Sequence, residues 1–391
     1  MIGSLRHAVF LVWRYVVSSP GRSLVLVLGT TTALFLPVFT YLASDLVGEA
    51  LMGRAKASPV LIGHEGNEFD LTMSALYFRG EVGRPVTYSV YQDLLERDYG
   101  RATPLYLRHS ASGVPIVGTD LEYFALRGLE IAEGRSLARL GEVVAGARVA
   151  ENFQLEVGDQ LRSDITNLYN IAGAYPKVLT VVGILEPTGS PDDDVLVADV
   201  KTTWMLDGTF HGHAEVTRDD ALNPEAGEGE NLEATAAIFI FNELTEANRR
   251  SFHMHGREAE APLSGVLVFP RDQKAHDQLL GDFVLDETRQ AVEPEQVIGT
   301  ILGIVLRVRE GLTFYFAAVG VSTALFFGLV LLLSLRLRAR EIALMKRIGC
   351  SRGMIGTVIG VEVAMLVLAS SLLTGLLTSV GLFILKTRLG V

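Results

Sequence analysis

Two short histidine pairs, His211-x-His213 and His253-x-His255, are the residues whose type and spacing most invite chemistry. On an extended strand residues i and i+2 point to one face, so each pair could offer two imidazoles to Zn²⁺ or Cu²⁺. Glu215, Asp219 and Asp220 lie near enough in sequence to add oxygen ligands. Both pairs fall in or beside polar stretches, however, where a solvated histidine is the ordinary outcome. Glu362 is a second candidate, the only charge in the apolar stretch 354–385. An acid there needs a partner or water. A carboxylate near the interface, paired with a basic residue such as Arg352, is the plainer reading, and a proton relay is the other. Other reactive patterns are missing from the sequence. It has no G-x-x-x-x-G-K-[ST] and no Gly-Lys dipeptide, hence no phosphate loop. His64-Glu65 lacks the second histidine of H-E-x-x-H, and G-x-S-x-G does not occur. The chain therefore reads as non-catalytic, with no cofactor of its own beyond a zinc or copper ion at the histidine pairs.

The elements that would position these residues divide sharply by charge. Apolar residues make up 49% of the 391, and mean hydropathy is +0.32, high for a soluble enzyme. Residues 1–44 carry Arg6, Arg14 and Arg22 and no acid, and residues 311–391 have a net charge of +6. With −11 overall, residues 45–310 carry −20. Basic ends around an acidic middle imply two compartments. The acidic middle would repel phosphates, which argues against nucleic acid as a partner. The single cysteine, Cys350, permits no disulfide framework, so the middle needs a packed core.

Three stretches can each cross a bilayer core of roughly 30 Å, which takes about 20 helical residues. We place them at 21–48, 312–335 and 354–386, the first containing Pro37, which a membrane helix tolerates. A cleaved signal peptide is the rival for the first, but its apolar run is too long and an arginine-bearing segment precedes it. Arg336, Arg338, Arg340, Lys346, Arg347 and Arg352 face one acid between the second and third spans. The positive-inside rule puts that loop and the N-terminus in the cytoplasm, and the domain 49–292 outside it. Residues 1–20 read as an amphipathic segment along the inner face, with Trp13, Arg14 and Arg22 at the headgroups; the start of a longer first helix is the alternative. Residues 293–311 read either as a stalk continuous with the second span or as a separate helix broken near Gly311. Residues 387–391 form a tail whose Lys386–Arg388 neighbourhood falls outside, mildly against the rule.

The outer domain has a mixed α/β pattern. Strands are expected at Val60–Ile62, Pro104–Arg108, Val114–Val117, Leu179–Leu185, Ala236–Phe241 and Gly265–Phe269. Helices are expected at Val90–Arg97, Leu121–Leu126, Ala147–Phe153, Val200–Leu206 and Gln273–Leu280. From Glu186 to Glu233 the chain turns acidic, through Pro191-Asp192-Asp193-Asp194 and EAGEGENLE, and reads as a surface excursion. In the third span Ser370, Gly375 and Ser379 are small residues spaced for close helix approach, which suits a dimer seam.

The loop at 336–353 is the most informative stretch. Gly349 is placed to end a short basic helix in a left-handed conformation, and Ser351 can cap the next. Ile342, Leu344, Met345 and Ile348 give that helix an apolar stripe. An apolar-plus-charged helix held between two spans suits docking into a groove of another protein. The run Arg340-Glu341-Ile342-Ala343-Leu344-Met345-Lys346-Arg347-Ile348-Gly349-Cys350-Ser351 resembles the coupling segment of FtsX/MacB-type permeases. These are the type VII ABC systems, also called mechanotransmitters. Trp13-Arg14 with Pro20-Gly21-Arg22-Ser23 is similar to their amphipathic start. Gly118-Thr119, Glu133-Gly134-Arg135, Glu142-Val143-Val144, Val157-Gly158-Asp159 and Val181-Val182-Gly183-Ile184 resemble phrases of their periplasmic core domain. The family usually carries a fourth helix; this sequence offers three.

The resemblance implies a polytopic α-helical membrane protein with three spans and a large mixed α/β extracytoplasmic domain between spans 1 and 2. It implies an inner-membrane permease subunit, with ATP and Mg²⁺ handled by a partner ATPase dimer that docks around Arg340, Glu341, Ile342, Leu344, Met345, Lys346, Arg347, Gly349 and Ser351. A second permease subunit, identical or not, membrane lipid, and a periplasmic adaptor or lipoprotein are the other expected partners. Export, or extraction of a lipoprotein, lipid or peptide, is the expected work. A membrane-anchored sensor or scaffold without an ATPase is the competing reading, and a metal-dependent ectoenzyme resting on the histidine pairs is a third.

Overall fold

The computed structural model describes residues 9–14, 17, 20–165, 176–212, 244–245, 247–254 and 256–389. The expected strand Ala236–Phe241, with Glu215, Asp219, Asp220 and the EAGEGENLE run, lies outside the described residues. The chain divides into an outer unit, residues 51–300, and a helical unit formed by the residues on either side.

Helix α1 (Pro20–Lys56) leads to strand β1 (Val60–His64). Next come α2 (Glu68–Tyr77), β2 (Val86–Thr87), α3 (Tyr88–Glu96), β3 (Gly100–Ala111), β4 (Val114–Thr119) and α4 (Leu121–Arg127). They are followed by β5 (Ile131–Gly134), β6 (Glu142–Ala145), α5 (Ala147–Phe153), β7 (Gln160–Arg162) and β8 (Val178–Leu185). A 3₁₀ turn at Pro191–Asp194 precedes β9 (Leu196–Asp199), α6 (Val200–Asp207) and β10 (Phe210–Gly212). Then β11 (Phe252–Met254), β12 (Pro262–Leu263), β13 (Gly265–Pro270), α7 (Gln273–Phe283) and β14 (Arg289–Val292) close the outer unit. Last come α8 (Pro294–Leu337), α9 (Ala339–Arg347) and α10 (Arg352–Leu389).

One large sheet organises the outer unit, in the order β14-β1-β13-β3-β4-β9-β6-β8-β5, with β7 on β8. It is antiparallel from β14 to β4 and mixed beyond, with β4–β9 and β6–β8 parallel. Strand β3 serves both halves: Gly100–Leu105 pair with β13, and Tyr106–Ala111 pair with β4 across a bulge between Tyr106 and His109. A bulge bends a strand and sharpens its twist, so each half closes over its own apolar cluster. Val60, Ile62, Val266, Val268 and Trp204 fill one; Ile116, Val143, Val181, Leu196 and Met205 fill the other. Helix α6 feeds both, because neighbouring residues on a helix point to different faces. The Trp204 indole N–H donates to Pro262 O at 2.8 Å, which satisfies its one polar atom.

The structure corrects the reading of the acidic stretch after Glu186. Asp192 and Asp193 are buried, and the chain passes directly into β9, whose Leu196, Val197 and Ala198 are fully buried. Asp192 is neutralised by a cation distant in sequence, and Asp193 by Arg148 at 3.4 Å together with donors close to it in the chain. Asp192 pairs with Arg54, and Asp193 accepts from the Thr188 and Gly189 N–H groups. A local count of acids cannot see a partner 138 positions away.

Among the described residues three helices, α1, α8 and α10, are long and apolar enough to cross a membrane. Helices α1 and α10 meet along a seam of hydroxyls. Ser370 Oγ donates to Val27 O at 3.3 Å, Thr31 Oγ1 to Ser370 O at 3.4 Å, and Thr374 Oγ1 to Thr31 O at 3.4 Å. Farther along, a Cβ on Gly381 would stand 2.7 Å from the Phe39 ring, so glycine is what lets the two backbones approach. Between α1 and α8, Arg309 Nη1 donates to Asp45 Oδ1 at 2.5 Å and its guanidinium lies 4.4 Å from the centroid of Tyr41. Phe314, Leu325 and Leu329 point outward from α8 as a lipid-facing surface would.

Candidate functional site

Helix α9 has no buried residue. Arg340, Glu341, Leu344, Lys346 and Arg347 are exposed, while Ile342 and Met345 are half-buried. The apolar stripe expected from sequence is thus split: Ile342 and Met345 turn inward, and Leu344 and Ile348, at 58% and 75% exposure, are left open. They are four residues apart and therefore neighbours on one face. The helix ends in a Schellman turn. Gly349 takes φ +98°, its N–H reaches Lys346 O at 3.1 Å, and the Cys350 N–H reaches Met345 O at 3.0 Å. Ser351 Oγ then accepts from the Met354 N–H at 3.2 Å, starting α10. The C-terminal end of α9 is therefore fixed by backbone geometry, which sets where this basic, apolar-edged rod meets α10.

The other end of α9 is pinned through Glu362. This carboxylate is only 3% exposed and faces Arg338 at 3.3 Å, not the expected Arg352, which is exposed. Arg338 is the joint residue between α8 and α9, with φ −89° and ψ 9°. A guanidinium at the joint reaches back to α10, whereas Arg352 opens α10 itself, nearly three turns away at about 3.6 residues per turn. Among the remaining expected residues, Trp13 is 59% exposed and Arg14 exposed, on a helical stretch whose Val12 is buried. The Arg22 side chain lies outside the described residues. Ser370 packs within the chain, in the α1–α10 seam, while Gly375 and Ser379 face outward.

The histidines meet in a different combination from the sequence pairs. His211 and His253 lie opposite each other on β10 and β11, with ring centroids 6.5 Å apart. Each Nδ1 is 2.8 Å from a backbone carbonyl, Gly208 O and Ser251 O respectively, so Nδ1 carries the proton in both. His213 and His255 lie outside the described residues. Among the described residues no group of three or more His, Cys, Asp or Glu side chains is arranged to hold a metal ion.

Sequence reasoning missed a buried, densely bonded polar cluster of the outer unit. Arg54, in the last turn of α1, is 9% exposed and directs Nη1 to Asp192 Oδ2 at 2.5 Å and Nη2 to Asp192 Oδ1 at 3.0 Å. Tyr123 of α4 donates to Asp192 Oδ1 at 2.5 Å and accepts from Arg54 Nη2 at 3.1 Å. Burial alone would raise the Asp192 carboxyl, but Arg54 and the Tyr123 hydroxyl outweigh it and hold it below the usual carboxylate range. Burial, with Asp192 alongside, pushes the Tyr123 phenol up to about 12. A lone arginine near the end of an apolar helix was the only signal available.

The family profile of the MacB-like periplasmic core domain matches residues 19–238. The chain belongs to that family. Two solved structures resemble it at low identity. The periplasmic region of MacB from Actinobacillus actinomycetemcomitans is 12% identical, with a TM-score of 0.34, over 64% of this chain and 97% of that one. The extracellular domain of the noncanonic ABC-type transporter YknZ from Gram-positive bacteria is 10% identical, with a TM-score of 0.32, over 60% and 98%. Among curated proteins none matches. The MacB-like match takes in α1 and the strands through β10; α8, α9 and α10 lie beyond it.

Proposed function

We propose that this MacB-like chain is the membrane subunit of an ABC-type complex, in which a separate ATPase docks on α9 and its closure drives work by the outer unit. What supports the reading is α9 itself: a basic helix with no buried residue and an open Leu344–Ile348 edge, held between two long apolar helices. Such a rod has the form of a lever handle. Its displacement would bear on α8, one continuous helix of 44 residues and about 66 Å at 1.5 Å per residue. The basic flanks of α9 support a cytoplasmic position beneath an inner membrane, and the −20 charge of residues 45–310 supports an outer unit beyond it. Work delivered outside, as export or as extraction of a lipoprotein, lipid or peptide, does not require cargo to pass between the helices. A second permease subunit and an adaptor belong to the same proposal.

The test is gentle solubilisation of the native membrane, purification through this subunit, and mass spectrometry of its companions. A soluble ABC ATPase should co-purify in stoichiometric amount. Glu341→Lys and Leu344→Asp should each remove at least nine-tenths of it without loss of the subunit from the membrane. No ATPase with the wild type, under conditions that preserve other complexes, would leave the sensor or scaffold reading in its place.

A further inference from the structure

The last turn of α1 is gripped from several directions within the outer unit. Besides the fork to Asp192, Arg54 Nε donates to Leu76 O at 3.2 Å. Tyr77 Oη donates to Leu51 O at 2.5 Å. Arg127 Nη1 donates to Ala57 O at 3.2 Å and to Ser58 Oγ at 2.8 Å, as a cation at a helix C-terminus should. Ser58 Oγ in turn donates to Arg54 O at 2.8 Å. These contacts come from α2, α4 and the turn Pro191–Asp194, elements 22 to 138 positions away in sequence.

A buried ion pair is a poor way to gain stability, since well-packed apolar residues of similar volume often do as well or better. Its distinctive property is direction. An apolar seat resists withdrawal of a helix but lets it slide about its axis. A planar guanidinium held in two parallel bonds fixes the azimuth as well as the depth. Tyr123 closes the third side, so the fork cannot swing without breaking a buried bond.

We propose that Arg54, held by Asp192 and Tyr123, is the positioning residue that locks the last turn of α1 to α4 and the Pro191–Asp194 turn of the outer unit, so that rotation or tilt of α1 is delivered to that unit undiminished. The lock rests on the contacts above; its use as a transmission element rests on the work-coupling reading. Hydrogen exchange on the full chain in lipid nanodiscs tests it. In Asp192→Asn and in Arg54→Lys, which keeps the charge but not the fork, amides of residues 51–58 should exchange at least tenfold faster. Amides of β6 and β9 should stay within twofold of wild type. Unchanged exchange at 51–58, or an equal rise across the sheet, would overturn the lock. With the ATPase attached, ATP should alter exchange in the outer unit of the wild type and not of Asp192→Asn, while ATPase turnover persists. An identical ATP response in both would overturn the transmission role. A wild type carrying no ATPase sinks the coupling reading alone, and the exchange rates at 51–58 still decide the lock.

Discussion

Asp192 and Glu142 are buried carboxylates that the fold keeps ionised, and they tie the outer unit to pH. Glu142 accepts from Arg135 Nη1 at 2.8 Å and from the Ala138 and Arg139 N–H groups at 2.9 and 3.0 Å. Burial pushes its carboxyl up, and these donors more than reverse that, so it too lies below its ordinary value. A carboxyl whose pKa is lower folded than unfolded stabilises the fold above its unfolded value, about 3.9 for Asp and 4.3 for Glu. That contribution is lost as pH falls through the folded value. We therefore expect the contribution of these two carboxyls to hold above about pH 5 and to be lost below about pH 4. Fully buried Trp204 is the reporter, its emission shifting red on unfolding while exposed Trp13 stays constant. Glu142→Gln should cost ~1–3 kcal/mol at neutral pH, by leaving donors unmatched, and flatten part of the acid limb. At this scale the sequence revealed what is local. Gly349 and Ser351 were readable because a turn and a cap depend on residue type alone. The Arg54–Asp192 and Arg338–Glu362 pairs were not, because each partner is chosen by packing.

Elements with a strong period were legible to within a few residues. Ala147–Phe153 was expected at its observed bounds, and the expected cores of β1, β3, β4, β8 and β13 all lie inside longer strands. Strand β9 was missed because its four residues are flanked by an acidic turn and a helix, leaving no alternation to read. The choice between a stalk and a break at Gly311 could not be made from sequence, since glycine is tolerated inside a membrane-associated helix; the helix in fact runs through it. Open space around Gly311 makes it a clean place to test that continuity. Gly311→Pro removes a backbone bond and clashes with the preceding turn, at ~3 kcal/mol, kinking α8. On the coupling reading the variant should still co-purify with its ATPase and hydrolyse ATP, yet lose most outward work, measured as cargo release per ATP.

For the whole molecule, the charge division is the feature with the widest reach. A −20 segment between basic ends orients the chain only if the outer unit is translocated. In a Cys350→Ser background, Glu287→Cys on the exposed surface should react with a membrane-impermeant maleimide in intact cells. In the wild type, Cys350 should react only after permeabilisation; the reverse pattern would invert the topology. The family was legible in the outer phrases, whose positions fall inside the matched 19–238. The sheet order was not, because it depends on pairings between distant ends of the segment. Strand β1 is paired with β13 on one side and β14 on the other, so its neighbours are made some 200 residues after it. At about 5–20 residues per second, β1 emerges roughly 10–40 s before either neighbour exists. During that interval both edges of β1 are bare, so the nascent outer unit carries an unpaired apolar strand until its last two strands are made.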